Sequence, residues 1–175
     1  MAVIGVMGSG KNPWEALAHP LGTWIAQSGH DLLTGGGQGV MLSVARAFSQ
    51  TPGRSGKSMG VLPTRADALS GFVPLEGYPN PFVELPIITP LPKREDGAAP
   101  GTVNRNYVNI LTSDVVVALP GSAGTLEEIT LALRFKKPLI CFGPADGWAS
   151  LPAGAVRAGH LDDVCSFITA NTLKK

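Results

Sequence analysis

Charge is scarce in this chain of 175 residues: only 15% are Asp, Glu, Lys or Arg, and the net charge is +1. That balance supplies no basic stripe, so neither nucleic acid nor an anionic membrane surface is expected as a partner. Cysteine is rarer still. Cys141 and Cys165 lie in apolar surroundings and at no metal-ligand spacing. They are expected as buried thiols in a reducing cytosol, with no metal site. His19, His30 and His160 show no ligating spacing either. No uninterrupted apolar run approaches the ~20 residues of a membrane span. The opening Met1-Ala2-Val3-Ile4-Gly5-Val6 lacks the basic flank and length of a secretion signal, which makes the cytoplasm the expected location.

What the chain does have is apolar material and glycine. Hydrophobic residues make up 44% and the mean hydropathy is +0.17, enough to core one domain over residues 1–175. The 22 glycines and 15 prolines stay below the roughly 25–30% that marks low-complexity chains. Their placement is uneven. Ala2–Met7 runs into Gly8-Ser9-Gly10-Lys11, Asp31–Thr34 into Gly35-Gly36-Gly37-Gln38-Gly39, and Asp114–Leu119 into Pro120-Gly121-Ser122-Ala123-Gly124-Thr125. Each cluster precedes a segment of helical periodicity.

The first helix is expected to start at Pro13, capped by Asn12 with Glu15 reaching back, and to stop near Gly29. A second spans about Val40–Ser49. A third, near Asn104–Leu111, is expected to bury Val108 and Leu111, and a fourth, from about Leu126, to bury Leu126, Ile129 and Leu133. A last helix covers about Leu161–Leu173. Further strands are read at Met59–Leu62, Phe82–Thr89, Val115–Leu119 and Pro138–Phe142, with near-continuous apolar character. The alternation predicts an α/β fold: a Rossmann-like, doubly wound parallel sheet with helices on both faces. Pro63–Pro81 and Pro90–Gly101 are too long for simple connections and read as rim loops of a site.

In such a sheet the ligand sits at the carboxyl ends of the strands, where glycine lets backbone N–H groups approach an anion. Three glycine loops on one edge point to a ligand carrying phosphate. Gly8, Ser9, Gly10, Lys11, Gly36, Gly37, Gln38, Gly39, Pro120, Gly121, Ser122, Ala123, Gly124 and Thr125 are therefore candidate binding residues. Standard nucleotide motifs fail. Pro13 occupies the position where a dinucleotide fingerprint needs a third glycine, and Asn12 replaces the Ser/Thr of a GxxxxGK loop. Thr125-Leu126-Glu127-Glu128 reads as a capping box or as carboxylates at the mouth of the cleft. Arg105, the asparagines 104, 106 and 109, and Lys93 and Arg94 are either solvated or edge the same cleft.

Five segments occur in order: Thr34–Met41, Gly60–Pro63, Arg105-Asn106 with Asn109, Ser113-Asp114, and Pro120–Glu128. Together they resemble the superfamily that holds the Lonely Guy phosphoribohydrolases and the molybdenum cofactor carrier proteins, over roughly residues 2–142. The resemblance implies a Rossmann-like fold, a homodimer or higher homo-oligomer, and a phosphorylated small molecule as partner. In the hydrolase branch the catalytic pair falls on Arg105 and Glu128, with cleavage of a nucleoside 5′-monophosphate as the reaction. Carriers hold a phosphate-bearing pterin, with Arg105 and Asn106 among the binding residues. Three departures matter. Ser122 replaces the second glycine of PGGxGTxxE, Val103 stands where hydrolases carry histidine, and Gly35–Met41 is one residue shorter than their GGGxxGLMG. The last two place the chain nearer the carriers, with the molybdenum cofactor as the expected ligand.

Overall fold

The computed structural model describes residues 1–91, 93, 102–148 and 150–173; Arg94 and most of the second rim loop lie outside them. The order is β1 (Val3–Met7), α1 (Glu15–Gln27), β2 (Asp31–Thr34), α2 (Val40–Gln50) and β3 (Ser58–Leu62). The short β4 (Thr64–Asp67) and β5 (Gly71–Pro74) follow, then β6 (Leu85–Ile88) and α3 (Arg105–Thr112). The chain ends with β7 (Val115–Ala118), α4 (Ala123–Arg134), β8 (Leu139–Phe142), β9 (Val156–Ala158) and α5 (Leu161–Thr172).

Seven strands form one parallel sheet in the order β6-β3-β2-β1-β7-β8-β9, while β4 and β5 make a separate antiparallel pair. This is the expected α/β, doubly wound architecture. The winding direction reverses between β1 and β7, which end side by side with Met7 opposite Ala118. A crevice opens at such a reversal because the two connections leave toward opposite faces.

Strand alternation feeds two cores. Val115 and Val117 point with Ile4, Val6 and Leu32 toward α1, α2 and α5, where Leu21, Ile25, Val44, Phe48, Val164 and Ile168 are fully buried. Val116 and Ala118 point the other way, onto Ile110 of α3 and Ile129 and Ala132 of α4. Each fully buried Ile, Val, Leu or Phe contributes about 1.5–3 kcal/mol relative to exposure. Helices α1 and α2 approach until a Cβ on Gly22 would strike the Val44 carbonyl. On the opposite face the Lys137 ammonium donates to the carbonyls of Leu111 and Ser113, both at 2.7 Å, holding the end of α3.

Several expected details are corrected. Helix α1 begins at Glu15, because Trp14 adopts a left-handed conformation at φ 44° and Asn12 Oδ1 accepts its N–H instead. Glu15 does not reach back; its carboxylate accepts from Ser43 and Arg46 of α2, both at 2.8 Å. Leu111 and Leu126 are 49% and 39% exposed and Val108 is only half-buried, because α3 and α4 turn polar residues inward toward a cavity. Cys165 is likewise only partly covered, whereas Cys141 is buried. The stretch read as a loop at Pro63–Pro81 contains the β4–β5 pair.

Candidate functional site

Every helix that follows a parallel strand points its N-terminus at the sheet's carboxyl edge, so the reversal between β1 and β7 gathers donors there. A cavity of about 550 Å³ lies at this point. The loop after β1 supplies Gly8, Ser9, Gly10 and Lys11, and the start of α4 supplies Ser122, Gly124 and Thr125. Helix α3 adds Arg105 and Asn106, and Glu128 comes from the second turn of α4.

The loop after β1 is shaped by its own side chain. Ser9 Oγ accepts from the N–H groups of Lys11 and Asn12 at 3.1 and 2.9 Å, while its carbonyl accepts from Val40 N–H at 2.9 Å. With the carbonyl thus turned toward α2, the N–H groups of Gly8, Ser9 and Gly10 meet no acceptor among the described residues. The same holds for the first three N–H groups of α4, Ala123 to Thr125, which have no intrahelical partner by construction. Two sets of free donors thus border the same cavity, with Lys11 and Lys93 beside it.

Arg105 is 7% exposed. Its Nη1 donates to the carbonyls of Gly35 and Val61 at 3.2 and 2.9 Å, and its buried Nε meets no acceptor among the described residues. Glu128 is buried as well, and desolvation raises its pKa to about 7. The Arg105 charge and a 3.4 Å hydrogen bond from Asn109 Nδ2 oppose that rise, and the neighbouring Glu127 adds to it. Asn109 Oδ1 meets no donor among the described residues. Glu127 accepts from Asn104 and Asn106 at 3.1 and 2.7 Å, so it fixes α3 against α4. The anticipated capping box does not form: α4 starts three residues earlier than expected, at Ala123, which puts Thr125 and Glu128 inside the helix and under cover.

The remaining sequence candidates lie beside the cavity rather than on its wall. Gly36 packs against Leu62, Gly39 on the backbone of Ser9 and Gly10, and exposed Gln38 reaches the Gly77 carbonyl at 3.5 Å. Gly37 touches Tyr78 and Met41. Pro120 lies beneath Gly143, and Gly121 and Ala123 border a second, largely apolar depression with Trp148 and Leu151. Gly35 of the second glycine cluster does line the main cavity, and sequence reading missed Met41 and Tyr78, which line it too. Among the described residues no group of three His, Cys, Asp or Glu could hold a metal ion, and no helix is long and apolar enough to cross a membrane.

A profile of the SLOG cluster4 family matches residues 1–171. The chain belongs to the SLOG cluster4 family. This SLOG cluster4 chain is similar to the molybdenum cofactor carrier protein of Chlamydomonas reinhardtii, at 29% identity and a TM-score of 0.72, with 99% of each chain covered. It is also similar to the molybdenum cofactor binding protein of the phototrophic bacterium Rippkaea orientalis, at 27% identity and a TM-score of 0.68, covering 97% of this chain and 96% of that one. An uncharacterized protein of Archaeoglobus fulgidus is 29% identical over 143 residues, 81% of this chain and 80% of its own. The SLOG cluster4 assignment agrees with the resemblance to the carrier superfamily and with the Rossmann-like fold.

Proposed function

We propose that this protein holds a phosphorylated small ligand in the β1–β7 cavity and that the ligand is the molybdenum cofactor, carried without chemical change. The observation that supports this most is the meeting of two free amide sets with Lys11, Lys93 and buried Arg105 in one cavity. Backbone amides at a helix N-terminus favour a phosphate, and the cationic side chains add to the field. The volume falls in the roughly 300–1,000 Å³ range of small-molecule sites. The donors suit the phosphate and ring oxygens of a pterin, so the cargo is gripped through its organic part. Glu128 is a reduced obstacle to an anion, because its raised pKa of about 7 leaves it about half neutral near pH 7, and an approaching phosphate pushes it further toward the neutral form. The reading includes a homo-oligomer in the cytoplasm, whose size light scattering measures.

The test is protection. Purified protein mixed with free molybdenum cofactor is expected to slow its loss severalfold relative to an unrelated protein, followed by the fluorescence of the oxidised pterin. Equal rates of loss would remove the carrier reading. A parallel incubation with AMP is expected to release no adenine. Arg105 Nη1 is engaged by two backbone carbonyls, an arrangement that braces a wall rather than following a reacting sugar. Adenine release that disappears in Glu128→Ala would replace carriage by hydrolysis.

A further inference from the structure

The end of the cavity formed by Tyr78, Met41 and Arg105 is built unlike the amide end. Tyr78 belongs to no helix or strand. Its loop is nevertheless tied down, because Asn80, 1% exposed, donates from its backbone to Gly36 at 2.8 Å and from its side chain to Gly37 at 2.9 Å. Met41 Sδ accepts the Gly37 N–H at 3.4 Å. The tyrosine ring and the thioether therefore flank the same glycine, each within 3 Å of where its Cβ would stand. The Arg105 guanidinium carbon lies 5.9 Å from the centre of the Tyr78 ring. Tyr78, Met41 and Arg105 all line the cavity.

We infer that Tyr78, Met41 and Arg105 form a ring-holding subsite, selective for a flat heteroaromatic group. The ring lies against the tyrosine and the polarisable sulfur, both of which favour aromatic partners. The polar edge of the ring faces the Arg105 guanidinium, while the phosphate takes the amides of the other end. The ligand class is therefore a heteroaromatic phosphate, and a sugar phosphate without a ring fills only half the site. The inference rests on the ligand-holding reading above, yet it fails separately from the carrier assignment.

Two probes isolate the ring. GMP carries the 2-amino-4-oxopyrimidine unit also found in pterins, and ribose 5-phosphate carries the phosphate without it. Titration calorimetry on the full chain is expected to show GMP bound at least tenfold more tightly than ribose 5-phosphate. In Tyr78→Ala and in Tyr78→Leu, which keeps bulk but not the aromatic face, that ratio should fall toward one; in Tyr78→Phe it should persist. Unfolding midpoints verify that each variant is folded, and the leucine variant carries the test if the alanine one is not. A ratio near one in the wild type, or an undiminished ratio in a folded Tyr78→Leu protein, overturns the inference. Loss of cofactor protection with the GMP ratio intact removes the carrier assignment alone.

Discussion

The two N-terminal glycine clusters look alike in sequence and do opposite things. Gly8-Ser9-Gly10 turns its amides toward the cavity, whereas Gly36, Gly37 and Gly39 are packed inward. Gly39 sits at φ 64°, ψ −127°, and a Cβ there would enter the backbone of Ser9 and Gly10. The second cluster is thus the bed on which the first one rests. Glycine serves exposure in one place and close approach in the other, and a count of glycines cannot tell them apart.

Gly39→Ala breaks this contrast most severely. The left-handed strain and the collision together are expected to destabilise the fold by about 4 kcal/mol, read from denaturant unfolding. Ligand binding should disappear with it, although Gly39 lines no part of the cavity.

Glu128 comes next in size. Its folded pKa of about 7 lies above the ordinary 4.5, so between those values the folded state binds more protons than the unfolded one. Stability is therefore highest at the acidic end of that window, falls as pH rises to about 7, and then levels. Glu128→Gln should remove this slope and exceed the wild type above pH 7 by about 2–3 kcal/mol. Parallel stability–pH curves for the two proteins would show that the carboxyl is solvated rather than buried.

Gly124→Ala is the mildest. A Cβ at this helical position meets nothing within 4 Å. Stability should rise by up to about 1 kcal/mol, while GMP binding weakens because the methyl faces the cavity. A loss of stability would mean that the first turn of α4 is shaped by packing, like the second cluster.

The fold class was legible because apolar runs alternate with helical periodicity, which leaves few architectures. β9 and the β4–β5 pair were not: Arg157, and Arg65 with Asp67, interrupt the apolar character by which the equally short β2, β7 and β8 were read. Helix α3 misled for a physical reason. Periodicity assigns the core to the apolar side, but Arg105, Asn106 and Asn109 face inward because one wall of the cavity is polar. The loop after β1 and the start of α4 were visible from glycine placement. Tyr78 was not, since its position depends on Asn80 bonding across to Gly36 and Gly37, a pairing of distant residues. An aromatic within Gly77-Tyr78-Pro79-Asn80, otherwise a turn-forming run, was the one signal available.

The Lys137 contact to the end of α3 has a dynamic consequence. Lys137 follows α4, and its ammonium grips the Leu111 and Ser113 carbonyls, while Glu127 of α4 holds Asn104 and Asn106 at the other end. The two helices are pinned to each other at both termini and form one cooperative unit. The eight-residue α3 is too short to persist alone. Its amide protons should therefore exchange with solvent at the pace of α4, so that this side of the binding cavity opens as a single door.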